Sequence, residues 1–280
     1  MDQRTAWQVI FDAHFHLREH EAYDDSVGIF TASGGNSFNL VNLPDYSLPH
    51  SNYYETLYER TVRTADMVRK EYKVHVIVSL GPYPLDYQFF LKNKEDPVSS
   101  ILHGLELAGR FISSGRASGI GEIGRAHFAT DTDMTEFSNR FMEESFEKAK
   151  DLDCFVMLHT EDLTPETIMQ IERMADRCGL LPKRVIKHHA TSQVLDVSQV
   201  TKSFPATKKN ARMLSLSRAK GMLETDFIDD PVNKQKFLPP DSVPRRALMI
   251  RQNFDDSDDI LYKIFQQIPF DSFQDDFFLQ

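Results

Sequence analysis

Short apolar runs alternate with longer helical patterns along most of the chain. The run 73–81 is rich in β-branched residues, and 154–161 is a second apolar run. Both predict strands buried on both faces, as in a parallel sheet. Residues 53–72 and 135–152 place apolar side chains at helical spacing and predict helices between the strands. The predicted strands are 7–17, 37–43, 73–81, 118–124, 154–161, 184–190, 202–207 and 221–227. The predicted helices are 53–72, 96–112, 135–152, 164–179, 192–200, 210–219, 241–252 and 256–268.

Helix-start and helix-stop residues support several of these boundaries. Asp96 and Thr164 each precede a proline, which is the usual order of an N-cap and the first helical residue. Gly179 follows the second of these helices as a C-terminal glycine. Thr135 is the expected N-cap of the helix over 135–152.

Alternating strands and helices indicate parallel strands joined by crossover helices, either as an open sheet or as a closed barrel. Periodicity alone does not choose between the two. Polar residues decide, because functional side chains of a barrel come from the carboxyl ends of several different strands. The chain has 280 residues, close to the ~250 of a typical α/β barrel. We therefore expect a TIM-type (β/α)8 barrel in which residues 1–280 form a single domain.

Histidines and acids follow the apolar core of several predicted strands. In a strand, residues two apart share a face, so His14 and His16 point the same way, together with Asp12. The strand-end set comprises His14, His16, Glu122, His159, His188, His189, Glu224 and Asp226. Isolated buried charges at these positions would each cost several kcal/mol. A shared divalent cation gives all of them a partner.

For each of these residues taken alone, a purely structural role competes with a role in a metal site. A single strand-end histidine is more often a hydrogen-bonded core residue, and only the complete set makes the metal interpretation strong. Imidazoles and carboxylates suit Zn, Mn, Fe or Ni better than Mg, although Mg stays open. We expect one or two divalent ions. His127 trails the Glu122 strand and is a further candidate.

Composition limits the classes of protein to which the chain can belong and the cellular compartment expected for it. The net charge of −10 argues against a surface that grips phosphate backbones without specificity. Two cysteines provide no disulfide framework, no apolar run approaches the ~20 residues of a membrane span, and the N-terminus lacks a signal-peptide layout. A soluble, cytoplasmic protein with no membrane partner is expected.

At the level of motifs, the chain resembles the TatD-type metal-dependent hydrolases of the amidohydrolase superfamily. The resemblance rests on "DAHFH", "GEIG", "LHTE", a later strand-end histidine and "ETD", in the family's order over residues 9–231. It implies a (β/α)8 barrel with one or two divalent metals at its carboxyl-end mouth. It also implies a hydrolase, since several members act on DNA phosphodiesters. The chain resembles a poorly characterised, archaeal-like branch of this family more than it resembles the well-studied DNases.

The resemblance also implies a role for each strand-end residue. His14, His16 and Asp226 would hold one metal, and Glu122 would bridge two. His159 and a histidine of the sixth strand, His188 or His189, would hold the second metal. Alternation lets only one of that pair face inward, and we expect it to be His189. Asp226 would be the general base, and Glu122 and Asp226 are the expected catalytic residues.

Two departures from the family pattern fall where substrate would sit. Tyr83 replaces a histidine in "LGPYP", and Arg125 replaces an apolar residue in "GEIGRA". We expect Arg125, Tyr83 and His127 to contact substrate. A small-molecule or nucleotide-like phosphodiester is the expected substrate. An amide or lactone hydrolase of the same superfamily and a non-catalytic metal-binding barrel are the alternatives.

The C-terminal tail, residues 269–280, is aromatic and acidic. Its phenylalanines are Phe270, Phe273, Phe277 and Phe278. An exposed apolar cluster of this kind often marks an interface, so the tail could join two copies into a homo-oligomer. Folding back onto the barrel is the alternative.

Overall fold

Parallel strands form the centre of the computed structural model, which describes residues 9–18, 23–128, 130, 132–229 and 238–280. The strands are β1 Phe11–His16, β2 Ser37–Val41, β3 His75–Leu80, β4 Gly119–Gly124, β5 Phe155–His159, β6 Val185–Lys187, β7 Thr201–Pro205, β8 Met222–Glu224 and β9 Phe227–Ile228. Their order in the sheet is β8-β7-β6-β5-β4-β3-β2-β1-β9. All eight neighbouring pairs are parallel.

The last two strands close the ring. β8 pairs with β7, and β9 pairs with β1, while only Thr225 and Asp226 separate β8 from β9. The backbone N–H of Asp226 donates to the carbonyl of His14 across this break. The Asp12 carboxylate accepts hydrogen bonds from the backbone N–H and the hydroxyl of Thr225, at 2.9 and 2.7 Å. The predicted (β/α)8 barrel is confirmed, with the expected strand over 221–227 divided into two parts.

Helices cover the outside of the barrel. They are α1 Tyr23–Ala32, α2 Tyr53–Tyr72, α3 Asp86–Lys92, α4 Pro97–Ser113, α5 Thr132–Asp151, α6 Pro165–Cys178, α7 Lys208–Leu216, α8 Ser242–Asn253, α9 Ser257–Tyr262 and α10 Ile268–Phe273. A π-helical turn, Lys263–Gln267, joins α9 to α10. The predicted caps of α4 and α6 are confirmed: Asp96 accepts from the N–H of Val98, and Gly179 ends α6 in the left-handed region.

Two helix predictions were wrong in detail. Thr135 is not an N-cap, because α5 already begins at Thr132. The segment 192–200 forms only a single 3-10 turn, Ser192–Val194. Val194 and Val200 of that segment are nevertheless buried.

The aromatic tail packs against the amino-end face of the barrel. The ring of Phe273 lies 5.1 Å from that of Phe11 and 4.5 Å from that of Phe155, both at strand starts. Phe278 lies 5.0 Å from Phe11, and both tail rings are buried. The tail therefore folds back onto the barrel floor, which was the alternative expectation, and its buried rings give no support to a homo-oligomer joined through it.

Within the described ranges, none of the helices combines the length and apolar character needed to span a bilayer.

Candidate metal centre

The paired histidines of β1 point into the barrel mouth. His14 and His16 are both buried, and their Nε2 atoms lie 3.0 Å apart. Nδ1 of His16 lies 2.9 Å from the carbonyl oxygen of Val41, which can only accept a hydrogen bond. The proton of the neutral ring therefore sits on Nδ1, and the Nε2 lone pair faces the centre of the site.

Glu122, on β4, lies at the middle of the cluster. Its Oε2 atom lies 2.9 Å from Nε2 of His188, 3.0 Å from Nδ1 of His159 and 3.8 Å from Nε2 of His14. The glycines that flank Glu122 allow the backbones of β4 and β5 to lie close together. A Cβ atom on Gly121 would lie 2.5 Å from Cβ of Met157, and Gly121 has a φ of 156°.

The sixth-strand histidines are placed the other way round from the expectation. β6 ends at Lys187, so His188 follows the strand and turns inward, where it is buried. The His188 ring stacks on His14 with centroids 4.1 Å apart, and its Nε2 lies 3.0 Å from Nδ1 of His159. His189 is exposed and has a φ of 51°. The expectation that His189 rather than His188 faces inward was wrong.

Asp226 completes the opposite side of the cluster. It sits in the break between β8 and β9 with a φ of 50°. Its Oδ1 atom lies 3.5 Å from Nε2 of His16 and 3.8 Å from Nε2 of His14. The side chain is 30% exposed, so it faces both the histidines and the open mouth of the barrel.

A buried acid that sequence reasoning left without a role stands behind His188. Glu224 is fully buried and accepts hydrogen bonds from the backbone N–H of His189, at 2.6 Å, and from the hydroxyl of Ser203. Its Oε1 atom lies 3.7 Å from Nδ1 of His188, which is longer than a hydrogen bond, so it acts on that ring through charge. The signal was present in the sequence as an acid inside an apolar strand.

The charges of the cluster hold one another ionised. Burial disfavours the charged form of Glu122, but His159 and His188 keep its pKa well below the usual value. Burial likewise opposes the charge of His188, yet Glu122 and Glu224 raise its pKa to about 10. Burial lowers the pKa of His14 to about 3, so this ring is neutral at pH 7. The carboxylates therefore favour the protonated form of His188, whereas His14 is neutral and keeps a lone pair.

These residues fit a divalent cation. Two groups of three have their ligand atoms within 4.8 Å of one another: His14, Glu122 and His188, and His14, His16 and Asp226. Ligands about 2.0–2.1 Å from a tetrahedrally bound ion lie about 3.3 Å from each other. The nitrogen and oxygen atoms of the cluster lie 2.9 to 3.8 Å apart in the contacts given above. Buried imidazoles and carboxylates also form a donor set typical of Zn, Mn, Fe or Ni sites.

The three residues expected to contact substrate surround the mouth. The hydroxyl of Tyr83 and Nδ1 of His127 lie 3.3 and 3.2 Å from Nε2 of His159. Arg125 pairs with Glu161 at 3.3 Å, and its Nε atom is buried without a hydrogen-bond partner. A cavity of about 430 Å³ opens beside them, between His127 and Asp226. Tyr83 and His127 thus contact the cluster, whereas Arg125 forms an ion pair with Glu161, in the loop after β5.

The other described histidines lie in separate ion pairs. These pairs are His50 with Glu95, His75 with Asp275, and His103 with Glu55. His20 lies outside the described residues.

Comparisons with known proteins agree with this architecture. The model of a family described as TatD related DNase matches residues 11–274. The uncharacterized protein MJ1127 of Methanocaldococcus jannaschii is 27% identical over 243 residues, which cover 84% of this chain and 85% of that protein. Among solved structures, YJJV, a TatD homolog from Escherichia coli K12, superposes with a TM-score of 0.63 at 17% identity and covers 95% of this chain and 98% of its own. A TatD-like protein from Archaeoglobus fulgidus gives a TM-score of 0.56 at 15% identity, covering 96% and 99%.

Proposed function

The chain belongs to the family of TatD-related DNases, and from that premise we propose that it hydrolyses phosphodiesters with the help of divalent metal. The matching family is named for DNases, which are hydrolases, and hydrolases are also among the structural neighbours. The substrate proposed is a small or nucleotide-like phosphodiester.

One observation carries the proposal. The carboxylate of Glu122 lies within 4.0 Å of four imidazoles from three different strands and their ends. In barrels of this type the active site lies at the carboxyl ends of the strands, and the lone pairs and negative charge of this chain are concentrated there. We propose that His14, His16 and Asp226 hold one ion, that His159 and His188 hold a second, and that Glu122 bridges them.

A divalent ion held there would polarise the phosphoryl oxygen and lower the pKa of an attacking water to roughly 7. Asp226 is the proposed general base. Burial acts against its charge, but His16, and then His14 and His188, hold its pKa well below the usual value. It is therefore ionised at neutral pH and able to accept a proton from water at the open mouth. Later it would return that proton to the leaving oxygen.

The rim residues are proposed to bind substrate. Tyr83 and His127 both face Nε2 of His159 from the solvent side, so a ligand entering the mouth meets them first. Arg125, next to β4, supplies a positive charge at the same rim. Hydrogen bonds from such groups to a phosphate are charge-assisted and help to fix its orientation.

The test is hydrolysis by purified protein loaded with Mn, Zn or Ni, with metal content measured by elemental analysis. Bis-p-nitrophenyl phosphate should be hydrolysed, and a chelator should stop the reaction. Asp226→Asn should lose activity by about 100-fold or more while staying folded. Asp162→Asn is the matched control, because Asp162 is an exposed acid of the same cavity.

Panels of amides and lactones separate the alternatives. Turnover of those panels with no phosphodiester hydrolysis would replace the proposed substrate class. Stoichiometric metal with no turnover of any panel would indicate a non-catalytic metal-binding barrel. Phosphodiester hydrolysis that a chelator leaves unchanged would contradict the proposal altogether.

A further inference from the structure

One buried charge beside the cluster has no role in the proposed reaction. Lys187, the last residue of β6, is only 2% exposed. Lysine is almost never buried to this extent without a charged partner, because an unpaired ammonium loses its hydration. Among the residues that the structure describes, the one hydrogen bond of its side chain runs from Nζ to the carbonyl oxygen of Thr160, at 3.1 Å.

The acids around Lys187 are engaged elsewhere. Glu161 pairs with Arg125, and the carboxylate of Glu224 accepts from Ser203 and from the backbone of His189. In the described part of the chain no carboxylate oxygen comes within 4.0 Å of the Lys187 ammonium. The Lys187 side chain thus has no carboxylate partner among the described residues and can pair with an anionic group that is not part of the protein.

The side chain lines the cavity of about 430 Å³ that His188 and Asp226 also line. A ligand in that cavity touches the metal-binding cluster on one side and Lys187 on another. The remaining acid of the lining, Asp162, is exposed and keeps its own hydration.

A second buried lysine, Lys202, forms more hydrogen bonds within the protein than Lys187 does. Nζ of Lys202 donates to the carbonyl oxygens of Val197 and Ser198, both at 2.7 Å. Lys202 lines a different cavity, which contains none of the cluster residues. The two lysines are similarly buried, so the difference lies in their partners.

We propose that Lys187 binds an anionic oxygen of the substrate's phosphate group in this cavity. The inference rests on the proposed function and names the substrate feature that the site recognises: a charged phosphoryl group rather than a neutral ester or amide. A charge-assisted hydrogen bond from a buried ammonium would hold that oxygen while the cluster acts on the same group.

The experiment measures binding of inorganic phosphate to the manganese-loaded protein by titration calorimetry. Lys187→Gln keeps a donor for Thr160 but removes the charge, and should weaken phosphate binding by about tenfold or more. Lys187→Arg keeps the charge and should stay within about threefold of the wild type. Lys202→Gln is the matched control and should bind phosphate like the wild type.

Several results would overturn the inference. These are unchanged phosphate affinity in Lys187→Gln, an equal loss in Lys202→Gln, or a loss in Lys187→Gln that merely follows a loss of bound manganese. A crystal structure of the wild-type protein with manganese and phosphate decides the matter without any variant. It should place a phosphate oxygen roughly 3 Å from Nζ of Lys187; phosphate bound away from that atom would refute the inference.

Failure of this inference is distinguishable from failure of the proposed function. Hydrolysis of bis-p-nitrophenyl phosphate with phosphate affinity independent of Lys187 leaves the function intact and removes the subsite. Phosphate binding that depends on Lys187, in a protein that hydrolyses no phosphodiester, leaves the subsite intact and removes the reaction.

Discussion

Oε2 of Glu122 lies 2.9 Å from Nε2 of His188, and this contact joins the middle of β4 to the residue that follows β6. It also identifies the sixth-strand histidine of the cluster. His188 is buried against Glu122, whereas His189, one residue later, is exposed. Adjacent residues with the same side chain therefore have different surroundings and provide an internal comparison.

His188→Gln should lower metal occupancy and reduce hydrolysis of bis-p-nitrophenyl phosphate by at least about 100-fold, since even the partners of metal ligands typically contribute 10–100-fold. His189→Gln should change the rate by no more than about threefold, because exposed substitutions usually alter free energies by about 0.5 kcal/mol or less. Elemental analysis and steady-state rates test both variants. Equal losses in the two variants would contradict the proposed ligand set.

Glu224 is expected to support the metal site through charge. Its carboxylate lies 3.7 Å from Nδ1 of His188, and its charge favours a proton on that atom, which leaves Nε2 of the ring to bind a metal ion. Glu224→Gln keeps the shape but removes the charge, and should weaken metal binding by about 10–100-fold. Competition with a chromophoric chelator measures this affinity.

Ser203→Ala is the control for Glu224. The Ser203 hydroxyl donates to the Glu224 carboxylate, so its removal loosens that acid but leaves the charge in place. A smaller effect on metal affinity is therefore expected. If Ser203→Ala weakened the affinity as much as Glu224→Gln, packing rather than charge would be the contribution of Glu224.

Asp86 should make stability fall as the pH rises from about 4 to about 7. The carboxyl is 1% exposed and accepts hydrogen bonds from the hydroxyls of Tyr46 and Tyr54 and from the backbone N–H of Tyr83. Burial raises its pKa from 3.8 to about 7, so the folded protein keeps a proton that the unfolded chain has already released. That preference stabilises the fold fully below the unfolded value and decreases by about 1.4 kcal/mol per pH unit through the window.

Asp86→Asn removes this titration, because an amide does not ionise. The amide can still accept hydrogen bonds from Tyr83 and Tyr54 and donate one to the Tyr46 hydroxyl. Urea unfolding at pH 5 and pH 8 gives the difference in unfolding free energy between wild type and variant. The wild type should lose about 2 kcal/mol or more relative to the variant between these pH values. A difference that stays constant would show that Asp86 titrates at its ordinary pKa in the folded protein.

Phe273 should contribute strongly to stability although it lies in the tail. Its ring contacts Phe11 and Phe155 at the barrel floor, and only 6% of the residue is exposed. Phe273→Ala should lower the unfolding free energy by about 3–5 kcal/mol, the usual cost of emptying a buried phenylalanine site. Leu279→Ala, at a position 61% exposed, should change it by about 0.5 kcal/mol or less. Similar small effects of both substitutions in urea unfolding would mean that the tail leaves the barrel in solution.

Local patterns in the sequence predicted most of the fold. The helix over 53–72 has the same bounds in the structure, and the caps at Asp96 and Thr164 are where the sequence places them, because these features depend only on nearby residues. The prediction of a strand over 202–207 is also confirmed, as β7. The wrong bounds, such as the N-cap at Thr135, fall where tertiary packing extends a helix beyond its local signal.

The sequence by itself determined the order of strands and helices and the kinds of side chain that end the strands, since both follow from apolar runs and the residues after them. Only the tertiary structure decided that His188 rather than His189 turns inward, because a difference of one residue in where a strand ends reverses the face of every side chain beyond it. The same holds for Glu224 and Lys187. Whether a buried charge is paired or left for a ligand depends on which distant strands lie beside it, and that is a property of the closed barrel.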